Sequence, residues 1–317
     1  MSAMIRSAVV GLLLVSGCGG GFAPPPIEAG ALAQEQEERA VRLISDRIAL
    51  SGRLRDIEFS IVTESAAFCR GVERPAVGVV LASEASFSGK IARTAAREEL
   101  ALGEQLTVVH VVPGGPLDVA GVKANDRVLT VAGVEAKTQE AFQDAIGGKL
   151  EPFVLRIARD TQELEKTVRP FPACPVSLRY VQSAQLLPDK LSRTTAGLPR
   201  GVIRLFENDD ELAVVIGHQL AHLIFEQPGQ DEIERERRAD RLGLFLTARA
   251  GYDISGAVGV WEKLVQEYPW LGSPQNPDRY RAYPHQGVAM RVAGLEAAIR
   301  EIEDLRARSQ PLVPAGD

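Results

Sequence analysis

The chain has 317 residues, of which 45% are hydrophobic and 25% charged, so it has material for two ordinary folded domains. Its formal net charge of −6 argues against a basic surface of the kind that neutralises nucleic-acid phosphates. We therefore expect a globular protein with no nucleic acid among its partners.

Residues 1–17 have the pattern of a targeting segment. Arg6 supplies the positive charge, and residues 8–15 form an apolar run that is too short to span a bilayer. The tetrapeptide Val-Ser-Gly-Cys at 15–18 resembles the lipobox of bacterial lipoproteins. That resemblance implies a signal peptide cleaved before Cys18 and a lipid anchor on this cysteine. A plain secretory signal with an incidental Cys18 is the alternative.

The residues after Cys18 bear on location and on the start of the folded part. Residue 19 is Gly rather than the Asp that commonly retains lipoproteins in the inner membrane. We therefore expect anchoring to the outer membrane of the cell envelope, facing the periplasm. Residues 18–33 are rich in Pro, Gly and Ala, and this composition predicts a tether.

Two further cysteines, Cys69 and Cys174, flank a segment that has the pattern of a self-contained module. Disulfides persist in compartments outside the cytosol, so we predict that these two residues pair. A bridge would clamp the points at which the module leaves and re-enters the rest of the chain. Two free buried thiols are the alternative.

The module covers residues 73–171. A strand is predicted at 106–112, a turn at 113–116, a short helix at 117–122, a second turn at 123–126 and a second strand at 127–131. This string closely resembles the motif V-x-P-G-x-P-A-x-x-A-G-L-x-x-G-D-x-I-x-x-x-x-G of bacterial PDZ domains, as found in HtrA and tail-specific proteases. Asn125 stands where Gly is usual, and Asn tolerates a positive φ.

The resemblance implies that the module binds C-terminal peptides, or other extended segments, as an added strand. The loop that would capture the terminal carboxylate comprises Val77, Gly78, Val79 and Val80. A helix at 138–147 would form the other wall of the groove. Its residues Phe142 and Ile146 are either pocket residues or core residues at helical spacing. We interpret His110, in the middle of a strand, as structural rather than a ligand.

A metal-ligand pattern lies in a second predicted helix at about 208–226. The segment Gly-His-Gln-Leu-Ala-His at 217–222 matches H-E-x-x-H except that Gln219 replaces the Glu. His218 and His222 share one helix face and can bind zinc, whereas the general base of the motif is absent. We expect the Asn208 side chain to cap this helix by accepting from the Glu211 N–H.

The next predicted helix, at about 231–249, supplies acidic residues at the same spacing. Glu236 can serve as the third zinc ligand, while Asp240 accepts a hydrogen bond from a ligating imidazole. Two His and one Glu, with the fourth position open, make a catalytic type of zinc site. The alternative for Glu236 and Asp240 is an exposed ladder of ion pairs with the neighbouring arginines.

From about 174 to 300 the chain resembles the gluzincin metallopeptidases that include HtpX and the CaaX prenyl protease, especially their periplasmic lipoprotein relatives. The segments that match are N-D-D-E-L-A-x-V-I-x-H, E-x-x-A-D-R-L-G-L and A-G-Y-D. The resemblance implies an α+β fold: a mainly helical zincin domain with a small sheet, formed by 34–72 and 172–317, into which the PDZ module is inserted. It implies a helix and a strand within 35–69, and places His285 near the metal as an oxyanion donor or switchable ligand.

Two departures from this family affect catalysis. The amide of Gln219 can orient water but cannot take its proton at neutral pH. The family also has an edge strand that holds substrate, whereas this chain has Pro188 and, at 194–199, Thr-Thr-Ala-Gly-Leu-Pro. Because Pro and Gly weaken a strand ladder, we expect this edge to be disrupted.

Three functions remain open at this stage. The first is a zinc-binding protein of the peptidase family, with hydrolysis weakened or lost, that holds envelope polypeptides. The second is an active zinc endopeptidase in envelope protein quality control, in which another group such as Glu211 serves as the base. The third is a pure PDZ binding or adaptor protein.

Overall fold

The computed structural model describes residues 28–184, 188–225, 232–267 and 285–315. The predicted signal peptide, and Cys18 with its predicted lipid, lie outside the described residues. The helices are α1 (Ala29–Glu64), α2 (Lys90–Leu100), α3 (Pro116–Val119), α4 (Gln139–Ile146), α5 (Arg200–Leu205), α6 (Asp209–Phe225), α7 (Glu232–Arg249), α8 (Ala257–Glu267) and α9 (His285–Ala307). Among the described residues, no helix has both the length and the apolar character that crossing a membrane requires.

The strands fall into three sheets, so the chain has the mixed helix and sheet fold expected from its sequence. They are β1 (Arg74–Ala76), β2 (Val79–Ala82), β3 (Thr107–Val111), β4 (Arg127–Val131), β5 (Phe153–Arg159), β6 (Gln162–Val168), β7 (Phe171–Ala173), β8 (Ser177–Val181), β9 (Asp189–Lys190) and β10 (Thr195–Pro199). The largest sheet has the order β2-β3-β4-β5-β6, the second has the order β8-β10-β9, and β1 pairs with β7 alone.

The β-rich part has its own hydrophobic core. Its five strands are antiparallel, and their inward side chains pack with α3 and α4 around Val128, Leu155 and Ile157. The antiparallel pair β1 and β7 lies where the chain enters and leaves this part. Asn125 has a φ of 72°, as predicted for the turn before β4. Strand β2 is at the edge of the sheet, which leaves one side of its backbone free of a strand partner among the described residues.

A second core surrounds α6 and α7. Helices α5, α8 and α9, together with β8 and β10, contribute buried residues such as Leu198, Ile203 and Leu295 to this core. Helix α6 begins after Asn208, whose side-chain oxygen accepts from the Asp210 N–H at 2.8 Å. The predicted partner, Glu211, is one residue further on, because the side chain of Asn208 closes the shorter turn.

Helix α1 packs against the core around α6 and against a third, smaller cluster that includes Ala82 of β2 and buried residues of α2. Its residues Leu54, Ile57 and Ile61 belong to the core around α6, while Ile44 packs with α2. Near the middle of the helix, Arg53 donates to Phe206 O at 2.7 Å, just before α6 begins. Helix α1 therefore fixes the start of α6 and also contacts β2 and β3 of the β-rich part.

Cys69 and Cys174 form a disulfide, with their Cα atoms 5.3 Å apart. The bridge lies next to the paired strands β1 and β7, so it closes the point where the β-rich part joins the rest of the chain. This agrees with the pairing predicted from the sequence.

Three local expectations are wrong. Helix α1 begins at Ala29, inside the segment predicted as a tether, because the Ala-rich run from 29 favours helix. A 3-10 turn at Ala66–Cys69 stands in place of the strand expected within 35–69. The segment 195–199 forms β10, the central strand of its sheet, although it contains Gly197 and Pro199.

The sheet tolerates Pro199 because this residue ends β10 and serves as the N-cap of α5. It therefore leaves no gap in the middle of the ladder. The edge strand β9 has only two residues, Asp189 and Lys190, and follows Pro188 directly. Disruption is thus limited to β9, one of the two outer strands of this sheet.

Candidate functional site

Helices α6 and α7 approach each other closely at two glycines. A Cβ built on Gly217 would lie 2.2 Å from Thr247 Oγ1 and 2.6 Å from Gly243 O. A Cβ built on Gly243 would lie 2.7 Å from His218 Cα. These distances are shorter than any van der Waals contact, so both positions need a residue without a side chain. The close crossing brings the acidic residues of α7 to the imidazoles of α6.

Three side chains converge at this crossing. His218 Nε2 lies 3.1 Å from His222 Nε2, and Glu236 reaches both rings with its carboxylate. One of its oxygens is 3.4 Å from His218 Nε2, and the other is 3.3 Å from His222 Nε2. His218 is buried, whereas His222 and Glu236 are partly exposed. The structure therefore brings together the three residues predicted as metal ligands.

The spacing of these atoms can be compared with that of a zinc site. Ligand atoms at about 2.0–2.1 Å from a tetrahedral zinc ion lie about 3.3 Å from one another. The 3.1 Å between the two Nε2 atoms is close to this value, and each Nε2 lies 3.3–3.4 Å from a different oxygen of Glu236. Two neutral nitrogen donors and one carboxylate oxygen are also the donor types of open, catalytic zinc sites. His218, His222 and Glu236 could thus hold a divalent metal.

The three groups also alter one another's acidity. Burial would raise the pKa of Glu236, but hydrogen bonds from His218 and His222 lower it well below its usual value. Burial lowers the pKa of His222. For His218 burial acts in the same direction, but the bonds to Asp240 and Glu236 raise its pKa above the usual value. Glu236 is therefore ionised and can act as a ligand at neutral pH.

A second layer of residues surrounds His218. Asp240 Oδ1 lies 2.9 Å from His218 Nδ1, the ring nitrogen that faces away from Glu236, as the sequence predicted for Asp240. Arg291 on α9 makes a charged hydrogen bond to the same carboxylate oxygen. The ring of Trp261 on α8 meets the His218 ring edge to face, with centroids 4.8 Å apart. Asp240 is thus buried and contacts His218 and Arg291, rather than forming an exposed ladder of ion pairs.

Sequence reasoning missed Arg291 and Trp261 as parts of the site. A signal for Arg291 was present, because Leu295, Ala298 and Ile302 follow it on one face of α9 and all are buried. An arginine on the apolar face of a helix needs a buried acidic partner. Trp261 carries no comparable signal.

The two positions predicted for catalysis, Gln219 and His285, lie on α6 and α9. Gln219 lies on α6 between the two histidines and is partly exposed. His285 is the first residue of α9, and its side chain lies outside the described part of the structure. A role for His285 near the metal therefore remains a prediction.

The predicted peptide-binding loop lies at the start of β2. Val77 O accepts from Leu117 N–H at 3.3 Å, and Gly78 O accepts from Val112 N–H at 3.0 Å. In a trans peptide unit the N–H points opposite to the C=O, so the N–H groups of Gly78 and Val79 point away from these partners. Gly78 has a φ of 68°, which favours Gly over other residues.

The side chains predicted to surround the peptide differ in their exposure to solvent. Val77 and Val79 are buried in the core of the β-rich part, and Val80 is partly exposed. Phe142 and Ile146 belong to the same core, which agrees with the interpretation as core residues. His110 has a structural contact, since its Nε2 lies 2.6 Å from Asp56 Oδ1 on α1.

Comparisons with known proteins cover only part of the chain. No family model and no curated protein matches it. One similar solved structure is the HtrA3 PDZ domain bound to a phage-derived ligand (FGRWV), at 17% identity and a TM-score of 0.26, covering 32% of this chain and 88% of that one. Another is the HtrA-type protease AlgW with a decapeptide, at 21% identity and a TM-score of 0.27, covering 33% of this chain. This chain spans 31% of the length of the AlgW chain.

Proposed function

We propose that this chain is a zinc-binding protein of the metallopeptidase type, anchored in the cell envelope and facing the periplasm, in which hydrolysis is weakened or lost. The β-rich part, residues 73–171, is proposed to be a PDZ domain that binds peptides. The single observation that carries the metal proposal is the convergence of His218, His222 and Glu236: the two Nε2 atoms lie 3.1 Å apart, and each lies 3.3–3.4 Å from a carboxylate oxygen of Glu236.

The chemistry of the site follows from its residues. A zinc ion held there would act as a Lewis acid and lower the pKa of water. Asp240 would orient His218 by accepting from its Nδ1–H. Gln219 can accept or donate a hydrogen bond, but it cannot take a proton from water or pass one to a leaving amine. General-base catalysis is typically worth about 10²–10⁴-fold, so its loss leaves at most slow hydrolysis.

Zinc titration tests the metal proposal. Metal-stripped wild-type protein is expected to bind one zinc ion per chain in competition with a chromophoric chelator. His222→Ala is expected to lose this binding, because it removes one of three protein ligands. Glu234→Gln is the matched control, since Glu234 is an exposed acidic residue of α7 that pairs with Arg237. Wild-type protein that takes up no zinc would overturn both the zinc-binding peptidase and the active-peptidase proposals.

Peptide binding is supported by the edge position of β2 and by the orientation of the loop before it. Among the described residues, one side of β2 has no strand partner. An extended peptide can pair there, while its carboxylate meets the N–H groups of Gly78 and Val79. These are the contacts that a domain of this kind makes with a chain end.

Fluorescence anisotropy can test this with a labelled decapeptide that ends in an apolar residue. We expect the free acid to bind at least about tenfold more tightly than the C-terminal amide, because the carboxylate accepts charge-assisted hydrogen bonds. Gly78→Ala should weaken binding, since its Cβ would lie 3.0 Å from Val112 Cβ at a positive φ. Gly148→Ala in the same module has open space and should bind like wild type. Equal affinity for acid and amide would count against the carboxylate loop.

A further inference from the structure

A buried arginine lies on the outer side of the candidate metal centre. Arg291 is 8% exposed, and it is located on the face of α9 that packs into the core. Its guanidinium stays charged at any physiological pH, so burial carries a desolvation cost that only fixed partners can offset. Such a residue is costly as a packing element alone, and its partners indicate its role.

Its partners include the groups that surround His218. Arg291 Nη2 makes a charged hydrogen bond to Asp240 Oδ1. The same nitrogen is 3.5 Å from His218 Nδ1 and 3.9 Å from Glu236 Oε2. Arg291 Nη2 is therefore close to His218 and Glu236, two of the three candidate metal ligands. It is also hydrogen-bonded to Asp240, whose carboxylate contacts His218.

Trp261 holds the guanidinium in a fixed plane. The Cζ atom of Arg291 lies 3.5 Å from the centroid of the Trp261 ring, a stacking distance for a planar cation on an aromatic face. The Trp261 ring also packs against the His218 ring. Helices α8 and α9 thus contribute one side chain each to the layer that encloses His218.

We propose that Arg291, stacked on Trp261, is the positioning residue of the metal centre. It acts through Asp240, whose carboxylate it fixes so that His218 Nδ1–H donates to Asp240 and His218 Nε2 faces His222 and Glu236. This inference rests on the proposed zinc binding. Outer residues of this kind typically change metal affinity by 10–100-fold when they are replaced.

A double-mutant cycle in zinc affinity separates this role from a general structural one. Metal-stripped wild type, Arg291→Met, Asp240→Asn and the double variant are titrated with Zn²⁺ against a chelator dye. Each single variant is expected to bind zinc about 10–100-fold more weakly. The double variant is expected to bind no more than about threefold more weakly than Asp240→Asn, because the two residues act in series. Effects that multiply, or wild-type affinity in Arg291→Met, would overturn the inference.

Arg241→Met is the matched control. Arg241 also joins α7 to α9, through a hydrogen bond of 2.9 Å from its Nη2 to Glu301, which lies ten residues after Arg291 on α9. We expect its zinc affinity to stay within about twofold of wild type. An equal loss in this variant would assign the effect to helix packing and overturn the inference.

Two further outcomes distinguish the inference from the function on which it rests. If circular dichroism shows that Arg291→Met does not fold, Arg291→Lys replaces it in the cycle, because Lys keeps the charge but lacks the planar group that stacks on Trp261. The Lys variant is then expected to bind zinc more weakly than wild type, and unchanged affinity would count against the inference. Wild-type protein that binds no zinc would overturn the proposed function and the inference together.

Discussion

Gln219→Glu is expected to raise the rate of β-casein cleavage by the zinc-loaded protein by about 10²–10⁴-fold. The substitution places a carboxylate on α6 between His218 and His222, where the motif of zinc peptidases has its general base. Gln and Glu have nearly the same size, so the fold and the metal ligands should be unaffected. The change therefore isolates the loss of the base from all other differences.

The comparison needs equal zinc content in both proteins, measured on the samples that are assayed. The double variant Gln219→Glu with His222→Ala should return to the background rate, because the added carboxylate acts only beside a bound metal. Wild-type protein that cleaves as fast as Gln219→Glu would show that another group serves as the base. It would favour the alternative of an active endopeptidase.

Gly243→Ala is expected to lower the free energy of unfolding by about 1–3 kcal/mol and to weaken zinc binding at least about tenfold. The new Cβ would lie 2.7 Å from His218 Cα and 2.9 Å from Gly217 C, both of which are backbone atoms. Backbone cannot swing aside as a long side chain can, so the two helices must separate. Ligand distances in metal sites vary by only about 0.2 Å, so a separation of α6 from α7 would move Glu236 out of reach of a metal held by the two histidines.

Gly259→Ala is the control for this variant. Gly259 is a helical glycine of α8 with nothing within 4 Å of the position of a Cβ. There the better helix propensity of Ala should leave the protein as stable as wild type or up to about 1 kcal/mol more stable. Urea unfolding and zinc titration would give both quantities. If Gly243→Ala is as stable as Gly259→Ala and binds zinc like wild type, the close helix crossing is not required for the site.

The convergence of the candidate metal ligands could be predicted because their spacing is local. His218 and His222 are four residues apart on one helix, and Glu236 and Asp240 have the same spacing on the next helix. Each pair therefore faces one direction, and only one long-range assumption was needed, that the two helices pack together. The disulfide between Cys69 and Cys174 was predictable for a different reason: these residues are far apart in sequence, but only two cysteines remain after Cys18.

The outer layer of the site could not be predicted in the same way. Arg291 and Trp261 reach His218 from two other helices, and no spacing within α8 or α9 specifies which residue meets the histidine. Their placement depends on how four helices pack, which is a property of the whole core. The strand at 195–199 was missed because local rules for Gly and Pro ignore position, and Pro199 ends the strand.

X-ray absorption at the zinc edge tests the central claim of a retained metal site most directly. On zinc-loaded wild-type protein, we expect two imidazole nitrogens from His218 and His222 and a carboxylate oxygen from Glu236, all at about 2.0–2.1 Å and with no sulfur. Gln219→Glu should give the same spectrum, because residue 219 is not a ligand. A shell of six oxygen atoms, or a sulfur ligand, would contradict this account of the site.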